Sequence, residues 1–146
     1  MGRRRAGSQE AEKSSQKRAA CVNGITFHAG GLIALDRKDR RVLTLVARAK
    51  ELGMRITVPA TALAQAIRNP ARQALLSRMI RQAGTDLVPL DGPAATAVGL
   101  LLARTGTTDI ADAHVVVCAE RSGQPVITTD PDDLRRISSG LQLIVI

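Results

Sequence analysis

Aromatic side chains are almost missing from this chain: Phe27 stands alone, without a Tyr or a Trp in 146 residues. That excludes RNA recognition of the RRM or OB kind, which stacks bases on aromatic platforms. Any contact with RNA must run through phosphates, metals and arginines. Cysteine is scarce too, and Cys21 with Cys118 makes no disulfide framework. Cys118 falls in an apolar helical run, where a small buried thiol is expected. No stretch approaches the roughly 18 to 20 apolar residues of a membrane helix, and the opening MGRRRAGSQEAEKSSQKRAA has no signal-peptide core. A cytoplasmic protein with no membrane attachment is expected. There is no GxxxxGK[ST] phosphate loop, no serine elbow and no supported Cys–His pair. Two histidines and two cysteines at unsuitable spacing argue against zinc. The last lysine is Lys50, which removes a receiver domain with a lysine on a late strand.

What is present is a chain 45% apolar, long enough for one domain with a real core. Its net charge is +8, and half of that lies in residues 1–20, which hold six Lys or Arg against two Glu. Residues 1–22 read as a basic, disordered tail; such a tail is ordinarily only solvated, with attraction to nucleic acid the sharper alternative. Residues 23–146 read as the folded domain.

Within the domain, strands are expected at Ile25–Phe27, Arg55–Val58, Asp86–Leu90, Pro125–Thr128 and Leu141–Ile146. Between them come helices at Leu32–Leu35, Arg41–Leu52, Pro59 to Asn69-Pro70, Ala71–Gln82, Pro93–Arg104, Asp109–Arg121 and Pro131–Ile137, with Ala29-Gly30-Gly31 as a tight turn. Apolar faces on the second and third helices would suit dimerisation or partner docking, but their periodicity is that of the domain's own core. Alternating strands and helices imply a three-layer α/β/α fold on a central parallel sheet.

In such a sheet a site forms where the strands' C-terminal ends meet. The residues brought there are His28 after the first strand, Gln65 on the helix after the second, Asp109 and Asp112 opening a late helix, and Thr128 and Asp130 after the fourth strand. Clustered carboxylates are costly unless something positive joins them. A divalent ion would do so; Mg²⁺ takes one or two carboxylates plus waters and phosphate oxygens. Each residue also has a plainer reading. Asp130 before Pro131 suits an N-cap, Asp132 and Asp133 suit a helix dipole, and Asp109 sits in a first turn where acids are common. Asp112 resists this, lying a turn further in beside an apolar run. His114 reads as a surface or packing histidine, and Arg135 and Arg136 as a solvated helix face.

Together these residues resemble the PIN domain, in particular the VapC-type ribonuclease toxins of toxin–antitoxin pairs. The carriers are ITFHAGGLIAL, VPATALAQAIR, the specific TGTTDIADAHVVVCAERSGQPVITTDPDDLRRI and the closing LQLIVI. The resemblance implies a parallel sheet flanked by helices, Mg²⁺ or Mn²⁺ in an acidic crevice, an RNA substrate, a cognate antitoxin and a homodimer. It makes Asp112, Asp109 and Asp130 the metal acids and Thr128 the hydroxyl that positions the attacking water. His28 stands where the family carries its principal metal carboxylate, and Gln65 where a Glu is common.

Imidazole brings the cation no countercharge, and Mg²⁺ prefers oxygen ligands. The expectation is therefore a metal-dependent endoribonuclease that is impaired or shifted toward Mn²⁺, with His28 as a weak ligand. The alternative is a catalytically degenerate PIN domain that still binds antitoxin or RNA. A third is a generic doubly wound domain for a small ligand.

Overall fold

The structure, a computed structural model, describes residues 23–146; the basic segment 1–22, with Cys21, lies outside them. Strand β1 (Gly24–Phe27) leads into α1 (Ala29–Asp36) and α2 (Arg40–Glu51), then β2 (Arg55–Pro59) and α3 (Ala60–Ala66). A 3₁₀ turn at Pro70–Arg72 precedes α4 (Ala74–Met79), β3 (Thr85–Val88), α5 (Gly92–Thr105) and α6 (Ile110–Ser122). The chain closes with β4 (Val126–Thr128), α7 (Pro131–Ile137) and β5 (Leu143–Val145).

All five strands pair in parallel, in the order β3-β2-β1-β4-β5. The central strands are buried, which is why they read as apolar runs without alternation. Phe27, Ile56 and Ile127 on the sheet pack with Leu32, Leu76 and Leu134 from the helices, all fully buried. Val42, Val46 and Ala49 of α2, with Ala62 and Ala66 of α3, belong to this core, so those faces serve the domain itself.

The helix boundaries follow their capping residues. Asp39 accepts hydrogen bonds from the Arg41 and Val42 amides, and Asp91 accepts from the Ala94 amide. Helices α5 and α6 end on Gly106 and Gly123, whose φ values of 69° and 63° favour glycine.

Three local expectations are corrected. Gly30 and Gly31 are not a turn but the first turn of α1, because the helix starts directly after His28 and presses on β4. The helix begun after β2 stops at Ala66 rather than Pro70, since Asn69 is held extended before the proline. The single helix expected over 71–82 is a 3₁₀ turn followed by α4. Gln73 breaks it: its buried side chain accepts from the Arg68 and Asn69 amides and donates to the Ala66 carbonyl.

Two buried groups give measurable consequences. Burial pushes the Cys118 thiol up to about 11, against the opposing pull of Arg121. In a Cys21→Ser chain, a disulfide reagent should label Cys118 slowly in the folded protein and quickly in denaturant, because the thiolate is the reactive form. Equal rates would contradict this. His114 is fully buried, a packing histidine whose Nδ1 lies 2.7 Å from the Thr61 hydroxyl. Burial, helped by Arg121, lowers its pKa from the ordinary 6.5. The unfolded chain then binds more protons below 6.5, so this contribution to stability is complete above that value and lost on acidification. Denaturant melts on both sides of 6.5 should show a smaller acid loss in His114→Gln than in the native chain. An identical loss would remove His114 as its source.

Candidate active site

The strand order reverses between β1 and β4, and that is where a crevice opens beyond the strands' C-terminal ends. It has a volume of about 770 Å³ and is lined by His28, Gln65, Asp109, Asp112, Asp130 and Asp133 among others. The sequence thus brings its candidate acids, His28 and Gln65 to one place; Thr128 lies beneath them, fully buried.

His28 is fixed from both ends. Its amide donates to the Ile127 carbonyl at 3.0 Å, and its carbonyl accepts from Leu32 in the first turn of α1. The residue is 5% exposed and its side chain lines the crevice. Nε2 is 2.7 Å from Asp112 Oδ1, and Nδ1 is 2.8 Å from Thr128 Oγ1. A carboxylate only accepts, so with Asp112 ionised the Nε2 hydrogen points at it. Thr128 Oγ1 already accepts from the Asp130 amide at 2.9 Å, which leaves its own hydrogen for Nδ1. Every polar atom of the imidazole then has a partner.

The acids differ in what engages them. Asp109 is the N-cap of α6 and accepts from the Asp112 amide at 2.8 Å, so the plainer reading of this residue holds. Asp112 is nearly buried at 8% exposure and is spent on His28. Asp130 occupies the N-cap position of α7 but makes no capping bond, contrary to its plainer reading. Its carboxylate lines the crevice, where it accepts from the Thr129 hydroxyl at 3.3 Å. Asp133, assigned from sequence to the helix dipole, lines the crevice as well, 3.7 Å from Arg136. Arg37 and Asp39 were missed as crevice residues. Their signal was the charged run DRKDRR directly after α1. Arg135 and Arg136 are exposed and paired with Asp132 and Asp133, a solvated face as expected.

The donor set does not fit a metal ion as it stands. Among the described residues no three His, Cys, Asp or Glu side chains converge in a way that could hold one. Asp112 Oδ1 faces the His28 imidazole and Asp109 Oδ1 a backbone amide. His28 itself has both ring nitrogens in hydrogen bonds and none free to ligate.

No curated protein matches this chain in sequence. Among solved structures it is similar to VapBC2 from Rickettsia felis bound to a DNA fragment from their promoter, with 13% identity and a TM-score of 0.57 over 84% of this chain and 98% of that one. It is also similar to FitAcB from Neisseria gonorrhoeae, with 14% identity and a TM-score of 0.54 over 82% and 96% of the two chains. At such identity these likenesses speak for the fold. A family model goes further: the PIN domain model matches residues 31–139, from the first turn of α1 through α7, including Asp112, Thr128 and Asp130. With most of its length so matched and the parallel sheet in place, this chain belongs to the PIN domain family.

Proposed function

We propose that this chain is a toxin–antitoxin PIN protein of the metal-dependent endoribonuclease type, in which His28 holds RNA cleavage far below what the scaffold supports. The hydrogen bond of 2.7 Å between His28 Nε2 and Asp112 Oδ1 carries this reading. It joins the two crevice positions where the family resemblance places metal carboxylates, and it satisfies Asp112 with an imidazole. Asp109, Asp112 and Asp130 remain the proposed acidic set, with Thr128 supporting them from below. PIN domains generally work as metal-dependent nucleases, and either Mg²⁺ or Mn²⁺ suits the proposed acids once the imidazole is gone. The VapBC2 and FitAcB likenesses support a cognate antitoxin as partner. A homodimer and a cytoplasmic location complete the proposal; no helix among the described residues is long and apolar enough to cross a membrane.

The same bond favours a second reading, in which cleavage is absent and the domain only binds antitoxin or RNA. Incubating labelled mixed RNA with the native chain in Mn²⁺, Mg²⁺ or EDTA separates the two. Weak cleavage that needs metal and vanishes in Asp112→Ala supports the first, and RNA retention without cleavage supports the second. Failure to bind or cut RNA, with His28→Asp equally inert, overturns both.

A further inference from the structure

Residues 56–85 contain four arginines and no acidic residue. Arg68, Arg72, Arg78 and Arg81 are all exposed, and none forms an ion pair among the described residues. Arg135 and Arg136 differ in this respect, each reaching a carboxylate one turn away. Arg68 donates to the Ala64 and Ile67 carbonyls and Arg81 Nε to the Ser77 carbonyl, so both side chains lie along the backbone with further donors left over.

The fold gathers these charges. Gln73 ties the 66–73 loop closed, and α4 turns Leu76 and Met79 into the core, leaving Arg72, Arg78 and Arg81 outward. Helix α4 packs on α1, whose Ile33 and Ala34, with Arg37 directly after it, wall the crevice. The segment that carries the arginines is thus seated on the helix that walls the crevice.

That placement answers a difficulty in the crevice itself. Asp109, Asp112, Asp130 and Asp133 outnumber Arg37 along the crevice and repel a phosphodiester, so most of the affinity for a nucleic acid has to arise outside it. Guanidinium forks match phosphate oxygens, and with one buried Phe and no other aromatic residue there is no stacking platform to read bases. We infer that Arg72, Arg78 and Arg81 form a phosphate-binding track that leads a single RNA strand across α1 to the crevice, without regard to its sequence. This rests on the RNA-directed reading proposed above.

The test is anisotropy of a labelled single-stranded RNA in EDTA over a range of salt, using the full chain. The basic segment 1–22 is then common to every protein compared. Each phosphate contact on a single strand contributes about 0.7 to the slope of log affinity against log salt. Arg72→Gln/Arg78→Gln/Arg81→Gln should lower that slope by about 2 and cut affinity at low salt by roughly 10- to 100-fold. Arg78→Gln alone should lower the slope by about 0.7, which guards against a misfolded triple variant. Arg135→Gln, whose partner Asp132 lies outside the crevice, should leave the slope unchanged. If the native chain binds RNA with a slope that the triple variant preserves, the track is overturned while the RNA-directed reading stands. If the triple variant instead loses binding to polyglutamate alone, the surface serves an acidic protein and the inference fails. A native chain that binds no RNA overturns the track, and the RNA-directed reading falls with it only if His28→Asp neither binds nor cuts RNA.

Discussion

His28→Asp should gain Mg²⁺-dependent RNA cleavage of at least about 100-fold over the native chain. Partners that only orient a metal ligand are commonly worth 10- to 100-fold in metal affinity or activity, and a carboxylate that itself meets the cation should be worth no less. The substitution does two things at once. It removes the imidazole from Asp112 Oδ1, and it sets a second carboxylate on the floor of the crevice, close to Asp112. Two buried carboxylates repel, and one is driven toward its protonated form unless a cation neutralises them. Without metal the variant should therefore melt at a lower temperature than the native chain, and Mg²⁺ or Mn²⁺ should raise its melting temperature again. The native chain should respond weakly to either ion. His28→Asn breaks the bond to Asp112 without adding charge and should stay nearly inactive, as should His28→Asp/Asp112→Ala. Cleavage assays on labelled RNA with matched thermal scans distinguish these cases. Native activity in Mg²⁺ equal to that of His28→Asp would refute the role given to the histidine.

The order of elements was legible because each carries its own signal. Strands β1 and β4 are apolar runs, Asp39 and Asp91 cap helices, and Gly106 and Gly123 end them. The parallel sheet follows from their alternation, and its reversal point gathers His28, Asp112 and Thr128 although 84 and 100 residues separate them from the histidine. What the sequence does not encode locally is which polar groups pair. Nothing in the spacing separates an Asp130 that caps α7 from one that faces the crevice; only the fold shows that its carboxylate makes no capping bond. Gln73 is similar: its helix propensity is good, and only the tertiary fold shows its side chain spent on closing a loop. His114 was open between surface and interior for the same reason, since its place depends on α3 lying against α6.

Gly31 shows how a correct residue gave a wrong element, and it yields the second large effect. Glycine in a helix costs about 1 kcal/mol relative to alanine, which is why Gly30-Gly31 reads as a turn. In the fold the cost is offset by close approach. A Cβ on Gly31 would lie 2.8 Å from the Ile127 carbonyl oxygen and 3.0 Å from both Ile127 Cγ2 and Phe27 Cδ1. The carbonyl belongs to β4 and accepts from the His28 amide, so it cannot move aside without disturbing the histidine. Gly31→Ala should therefore destabilise by about 1–3 kcal/mol, the usual range for overpacking. For a domain of this size that is a fall in melting temperature on the order of 5–10 °C. Gly99 on α5 supplies the contrast, being exposed with nothing within 4 Å of its added Cβ. Gly99→Ala should raise stability by up to about 1 kcal/mol through helix propensity alone. Opposite signs for one chemical change, read in parallel thermal scans, follow only if α1 is seated on β4 as described. A Gly31→Ala protein as stable as the native chain would mean that helix and strand stand further apart, and the 2.7 Å contact between His28 and Asp112 would lose its support.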